Sequence, residues 1–97
     1  MAANYRQIPD LLRKREAFTG NSMTGLTGDR LGQHMTGRLE GTDRARFLAD
    51  AARGITYLVV SYATPIAWVD ADGSAYVVAQ HFSRTTSRQQ TLCRAYL

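Results

Sequence analysis

The stretch that decides the fold is residues 55–81, ITYLVVSYATPIAWVDADGSAYVVAQH. Its first eight residues are mostly β-branched or aromatic, which predicts a central strand covered on both faces. The runs IAWV at 66–69 and SAYVVAQH at 74–81 predict two further strands. Pro65 has no amide N–H and predicts a break in strand pairing, and DADG at 70–73 predicts a tight turn. The stretch therefore predicts a three-stranded antiparallel meander.

Helices are predicted on both sides of this stretch. Apolar residues at helical spacing predict a first helix over residues 8–18. Thr42 is suited to cap a second helix that ends at Gly54. Thr86 and Gln89 match a capping box, which predicts that a third helix starts at Thr86.

The predicted fold class is α+β, with a three-stranded antiparallel meander, two N-terminal helices and one C-terminal helix. We expect the helices to pack on one face of the sheet and residues 1–97 to form a single domain. Residues 19–41 contain six glycines and predict a long loop, because glycine at that density weakens helices and strands. Residues 55–97 are then the βββα core of the domain.

Composition limits where the protein can act. The chain has 97 residues and a single cysteine, Cys93, so it cannot form an internal disulfide. No stretch approaches the roughly 20 apolar residues of a membrane span, and the N-terminal residues lack the apolar region of a signal peptide. We therefore expect a cytoplasmic protein with no membrane partner. A small sheet with two exposed edges also allows a homodimer.

The residue types that carry catalysis are few and scattered. His34, His81 and Cys93 have no metal-ligand spacing, and the chain has no P-loop or GxGxxG sequence. Asp70 and Asp72 lie in a predicted turn, where carboxylates usually stabilise the turn itself. The sequence thus predicts no catalytic residue, no metal, no cofactor and no enzyme activity.

Two motifs stand out in the second half of the chain, and a third lies upstream. The first, SYATPIA, comprises residues 61–67, and the second, FSRTTSRQQ, comprises residues 82–90. The upstream element is FTGNSM at residues 18–23. These motifs resemble SYxTPIA, YSxTTSxHQ and FxGNS in a family of small uncharacterised proteins of bacteriophages, prophages and some actinobacteria. The matching residues are Ser61, Tyr62, Thr64, Pro65, Ile66 and Ala67 in the first motif and Ser83, Thr85, Thr86, Ser87 and Gln90 in the second.

The resemblance implies a phage-type source, and therefore a host cytoplasm as the place of action, but it implies no mechanism. Two positions depart from the family pattern. Gln89 stands where relatives often have histidine, and Phe82 stands where many have tyrosine. If that histidine performs acid–base chemistry in relatives, Gln89 cannot, because an amide does not titrate.

One group of residues has the chemistry of a binding site. Residues 83–97 contain three arginines and no acid, and hydroxyl residues cluster at the predicted helix start. A helix N-terminus offers free N–H groups and a partial positive charge, and arginine adds bidentate hydrogen bonds. The candidate anion- or partner-binding residues are Arg84, Thr85, Thr86, Ser87, Arg88 and Gln89. Ordinary helix capping beside surface arginines accounts for the same pattern.

Two classes of function remain open. The first is a small phage-type protein that binds and modulates a host protein, and the second is a module that binds nucleic acid. The formal net charge of +4, with eleven arginines among twelve basic residues, is compatible with both. Tyr62, Trp68 and Tyr76 could stack on bases if they are exposed, although aromatic residues on strands are more often part of the core.

Overall fold

A computed structural model describes residues 3–27 and 36–97. Within these residues the chain forms three helices and one five-stranded antiparallel sheet, whose strands lie side by side in chain order. The elements are α1 (Ile8–Lys14), β1 (Phe18–Thr19), β2 (Met23–Leu26), α2 (Gly41–Arg53), β3 (Tyr57–Ser61), β4 (Thr64–Val69), β5 (Ala75–Val77) and α3 (Arg84–Tyr96).

The prediction of a three-stranded meander is wrong, because the glycine-rich segment contributes strands β1 and β2. β2 pairs with β3 over four residues, which makes β3 the middle strand of the sheet. Gly25 argues against a strand in the sequence, but the structure requires glycine at this position of β2. A Cβ atom on Gly25 would lie 2.5 Å from the Phe18 ring and from the Tyr57 hydroxyl, so only glycine allows the two rings to pack this closely. Residues 28–35 of the predicted loop lie outside the described residues.

The predicted break at Pro65 is also wrong. Strand β4 includes Pro65, which lies opposite Val60, while the next pair joins Val59 to Ala67. Ile66 is therefore an extra residue in β4, and the register shift is a β-bulge of the kind that tolerates proline inside a sheet. A turn of only two residues, Tyr62 and Ala63, connects β3 to β4.

The helices cover both faces of the sheet, and the prediction that they pack on one face is wrong. α1 and α3 cover one face, and α2 covers the other. The core on the α1–α3 face includes Leu11, Leu12, Phe18, Met23, Tyr57, Val59, Ile66, Ala67, Val69 and Cys93. The core on the α2 face includes Leu26, Leu39, Phe47, Leu58, Val60, Trp68 and Val78. Side chains alternate along β3 between the two cores, as the period of a strand requires.

Helix α2 is held to its face by a buried polar contact. The Trp68 indole N–H donates to Asp50 at 2.8 Å, and the Arg46 guanidinium donates to the same carboxylate oxygen at 2.8 Å. Burial by itself raises the pKa of Asp50, but these two hydrogen bonds and the charges of Arg46 and Arg53 outweigh it. The net pKa lies below the ordinary value, so Asp50 stays ionised and paired at neutral pH.

Two details of the predicted helices need correction. α1 ends at Lys14 instead of Phe18, because Arg15 adopts a left-handed conformation with φ +55°. Thr42 does not cap α2, which begins at Gly41 and has no side-chain cap. The first-turn carboxylate of Asp43 instead accepts hydrogen bonds from the Tyr76 hydroxyl and the Gln80 amide, which joins α2 to the end of the sheet.

The outer strands of the sheet are short. β1 has two residues and β5 has three, so neither edge exposes a long row of unpaired backbone groups. Homodimer formation through an edge stays a prediction. Within residues 3–27 and 36–97, no helix is long and apolar enough to cross a membrane.

Candidate functional site

The start of α3 is capped by a different residue from the one predicted. Ser83 is the N-cap, and its hydroxyl accepts a hydrogen bond from the Thr86 amide at 3.2 Å. The prediction that Thr86 caps this helix is therefore wrong. Thr86 is buried, and its hydroxyl bonds to that of Ser61 at 3.0 Å. The sequence predicts that the Thr86 hydroxyl faces an anion, but in the structure this hydroxyl joins α3 to β3 through a hydrogen bond.

Removing the Ser83 hydroxyl is expected to destabilise the protein. Ser83→Ala should lower the free energy of unfolding by about 1 kcal/mol, because the Thr86 amide loses its partner at the helix start. Ser83→Asp should retain most of the stability, since aspartate also caps and suits the helix dipole. Urea unfolding of the three proteins measures the effect, and equal stability of Ser83→Ala and the native chain would exclude Ser83 as the cap.

The six candidate residues divide into an exposed and a buried group. Arg84, Thr85 and Arg88 are exposed on the outer side of the first turns of α3. Ser87 is half-buried, and its hydroxyl lies 3.2 Å from His81 Nδ1. Thr86 and Gln89 face inward and are buried. The three exposed residues can contact a partner without a change in structure, whereas the buried Thr86 and Gln89 cannot.

The three motifs meet around the inward-facing residues. Gln89 Nε2 donates to Ser22 Oγ at 2.8 Å, which joins the second motif to the upstream element. The Tyr62 amide donates to the Ser22 carbonyl at 2.7 Å, and Ser61 bonds to Thr86. These contacts fix the start of α3 against two turns of the sheet, so the buried motif residues hold this end of the molecule together.

Tyr62 is the residue that sequence reasoning misplaced. Trp68 is fully buried and Tyr76 is half-buried, but the Tyr62 side chain is 71% exposed. Its φ angle is +56°, in the left-handed region, at the first position of the two-residue turn. Glycine usually occupies such a position because a side chain there is strained. The sequence gives no direct signal for this turn, because the pairing that leaves only residues 62–63 between β3 and β4 depends on the bulge beside Pro65.

Arg38 stands beside this turn. The Arg38 amide donates to Thr64 Oγ1 at 3.0 Å, and the Arg38 guanidinium lies 5.9 Å from the centre of the Phe82 ring. Gly37 makes this approach possible, because its φ is +56° and a Cβ there would lie 2.6 Å from Thr64 Oγ1. A shallow cavity of about 90 Å³ lies here, and its lining residues are Arg38, Ser61, Tyr62, Thr64, Phe82 and Thr86.

We call the exposed residues at the rim of this cavity and at the start of α3 the arginine–tyrosine surface, because Thr86 of α3 lines the same cavity as Arg38 and Tyr62. It consists of Arg38, Tyr62, Arg84, Thr85 and Arg88. Tyr62 and the first turn of α3 border the same cavity, and residues 73–97 contain no aspartate or glutamate. The region therefore combines an exposed aromatic ring with positive charge that no acid of α3 offsets.

His34 lies outside the described residues, and within residues 3–27 and 36–97 the other candidate groups, His81 and Cys93, are not paired for catalysis. His81 contacts Ser87, but both lie near the surface, and among the described residues no acid orients the histidine ring. Cys93 is buried, and burial raises the pKa of its thiol to about 12, so at neutral pH it is not a thiolate nucleophile. No group of three potential metal ligands occurs in the part of the chain that the structure describes.

Comparison with known proteins places the chain in a family without assigning an activity. No curated protein and no solved structure matches it. The prediction that the chain belongs to an uncharacterised family is confirmed, whereas the family motifs and the phage or actinobacterial source stay predictions. Residues 7–91, which include all three helix starts and the whole sheet, match the model of a family of unknown function (DUF8033), and the chain belongs to that family.

Proposed function

We propose that this protein is a non-enzymatic binding module of bacteriophage type, which binds and modulates a host protein in the host cytoplasm. The contact is made by the arginine–tyrosine surface. The observation that carries this proposal is Tyr62, a large ring held in the open at a strained position of the backbone.

The position of Tyr62 favours a role for its ring in binding. A left-handed conformation costs an L-residue about 1–2 kcal/mol, and glycine would avoid most of that cost. The ring has little packing to offset the strain, because it is 71% exposed. Strained backbone and exposed tyrosine are both typical of contact sites, where tyrosine and arginine carry much of the binding free energy.

The arginines indicate the chemistry of the partner. Arg84 and Arg88 are one helical turn apart on the exposed side of α3, and neither forms an ion pair with a described residue. Arginine forms planar, bidentate hydrogen bonds with carboxylates. An acidic patch on a host protein, with a cleft for the Tyr62 ring, fits this surface.

Nucleic acid is the second candidate partner. The observation that favours it is the Arg38 guanidinium over the Phe82 ring, which places a positive charge beside an aromatic ring. An exposed tyrosine beside arginines resembles a platform that stacks bases and contacts phosphates. Two features make it the weaker proposal. Phe82 is half-buried, which limits stacking, and the Thr86 amide at the helix start is already bound by Ser83. Phosphate binding would weaken steeply as salt rises, whereas binding dominated by a protein interface would weaken much less.

The variant Tyr62→Gly tests the proposal, because it should change stability and binding in opposite directions. We expect the free energy of unfolding to rise by about 0.5–1 kcal/mol, since glycine relieves the strain but adds entropy to the unfolded chain. Capture of the host partner by the immobilised protein should be lost. Chemical unfolding and a capture assay measure the two effects.

Leu48→Ala is the matched control, because Leu48 is an exposed apolar residue on α2, a helix that contributes no residue to the arginine–tyrosine surface. It should leave capture unchanged. A Tyr62→Gly variant that still captures the partner as well as the native protein would contradict the proposed role of the ring.

A further inference from the structure

The cavity between Arg38 and Tyr62 has a positive group but no carboxylate in its lining. Its volume is about 90 Å³. Arg38 is exposed and forms no ion pair with a described residue, so its guanidinium is accessible to a partner. The other polar lining residues carry hydroxyls, and they are Ser61, Tyr62, Thr64 and Thr86. The Thr64 hydroxyl accepts from the Arg38 amide, and its own proton has no acceptor among the described residues. The lining therefore attracts an anion and repels a cation.

The backbone of Arg38 is held on both sides by side chains from distant parts of the chain. Its N–H donates to Thr64 Oγ1 at 3.0 Å, and its carbonyl accepts from Gln80 Nε2 at 3.0 Å. The other end of the Gln80 amide accepts from the Glu40 N–H at 2.9 Å. An exposed arginine needs no such support to stay in solvent. A fixed backbone does reduce the conformational entropy that is lost when the side chain binds a partner.

Two aromatic rings form the apolar part of the lining. The Arg38 guanidinium lies 5.9 Å from the centre of the Phe82 ring, within the range of a cation–π contact, which favours one orientation of its planar group. The Tyr62 ring is exposed and can cover the stem of a side chain that enters the cavity. These rings suit the methylene groups of an acidic side chain.

We infer that this cavity receives the carboxylate of one acidic side chain of the host protein, with Arg38 as its bidentate partner. The inference rests on the proposed function and adds to it the residue and the chemistry of one contact. One guanidinium balances one carboxylate, and no second cation lines the cavity. A carboxylate also ends its side chain and can enter a small cavity, whereas a nucleic-acid phosphate is linked to its strand on both sides.

The first test is a titration of the ¹⁵N-labelled protein with acetate, followed by NMR at constant ionic strength. Acetate should shift the amide signals of Arg38, Thr64 and Phe82 and should bind about fivefold more tightly than acetamide, which has the same shape and no charge. Dimethyl phosphate, which has the form of a nucleic-acid phosphodiester, should bind more weakly than acetate. Absence of shifts at the cavity, equal binding of acetate and acetamide, or tighter binding of dimethyl phosphate would overturn the inference.

Variants of Arg38 test the guanidinium directly. Arg38→Gln should abolish the acetate shifts, and Arg38→Lys, which keeps the charge but not the planar fork, should weaken them. Arg44→Gln is the matched control, because Arg44 is an exposed arginine on α2, and it should bind acetate like the native chain. These variants should fold, since the hydrogen bonds of Arg38 to Thr64 and Gln80 come from its backbone. An Arg38→Gln variant that binds acetate like the native chain would exclude this residue as the partner of the carboxylate.

Capture by the immobilised Arg38→Gln variant shows whether the host protein supplies the carboxylate. Capture should weaken about tenfold or more relative to the native chain and to Arg44→Gln. Unchanged capture by Arg38→Gln would overturn the inference but not the proposed function, which Tyr62→Gly tests. If the native chain captures no host protein, the proposed function fails, and the acetate titration still decides whether the cavity is a carboxylate site.

Discussion

Replacing Val59 with aspartate is expected to unfold the protein. Val59 is fully buried in β3, the middle strand of the sheet, where it lies opposite Gly25 on one side and Ala67 on the other. A carboxylate at this position would be surrounded by the core between the sheet and helices α1 and α3, with no partner for its charge. Such a change costs several kcal/mol, a large fraction of the stability of a small domain.

Circular dichroism measures this outcome, because the Val59→Asp variant should show no cooperative melting transition. Ala71→Asp introduces the same carboxylate at an exposed position of the β4–β5 turn and should melt like the native protein. A soluble Val59→Asp variant with a cooperative transition would show that β3 is not the centre of the fold.

The largest expected effect on function comes from reversing two charges on α3. The double variant Arg84→Glu with Arg88→Glu should abolish binding and the phenotype that the native protein produces in its host. Both side chains are exposed and unpaired within the described residues, so the melting temperature should barely change. The reversed charges would repel the acidic patch that the arginines are proposed to contact.

The control for this variant is Arg6→Glu with Arg44→Glu. It has the same net charge, but its two exposed positions lie on the N-terminal segment and on α2. Binding should persist in the control. If the control loses binding to the same extent, overall charge explains the effect, and if the α3 double variant stays fully active, the helix start is not the contact site.

The sequence predicted the second half of the fold better than the first. The three helices and the strands after residue 55 follow from apolar spacing, β-branched residues and turn sequences. The sequence does not predict β1 and β2, because these strands depend on contacts between residues that are far apart in the chain. Gly25 weakens a strand in isolation, yet in the folded protein it is the residue that allows Phe18 and Tyr57 to pack. The predicted break at Pro65 is wrong for a related reason. A β-bulge allows proline within a strand, and local sequence propensity does not reveal a bulge.

The candidate site shows the same division. Sequence reasoning identified the arginines of α3 and the motif residues, but it could not separate exposed from buried hydroxyls. Which hydroxyls are exposed depends on whether Ser83 or Thr86 is the N-cap of α3. If the helix began one turn later, Thr86 would be the exposed cap. The sequence predicts a strand through Tyr62, whereas the pairing of β3 with β4 leaves this residue in the turn.

The central proposal, that the arginine–tyrosine surface binds a host protein directly, is tested most directly by capture from a nuclease-treated lysate. The lysate comes from the cells in which the protein is naturally produced, and the immobilised proteins are the native chain, the α3 double variant and its charge-matched control. The proposal predicts one protein that the native chain and the control retain after nuclease treatment and that the α3 variant loses. Capture that disappears with nuclease, or that the α3 variant retains, would contradict it.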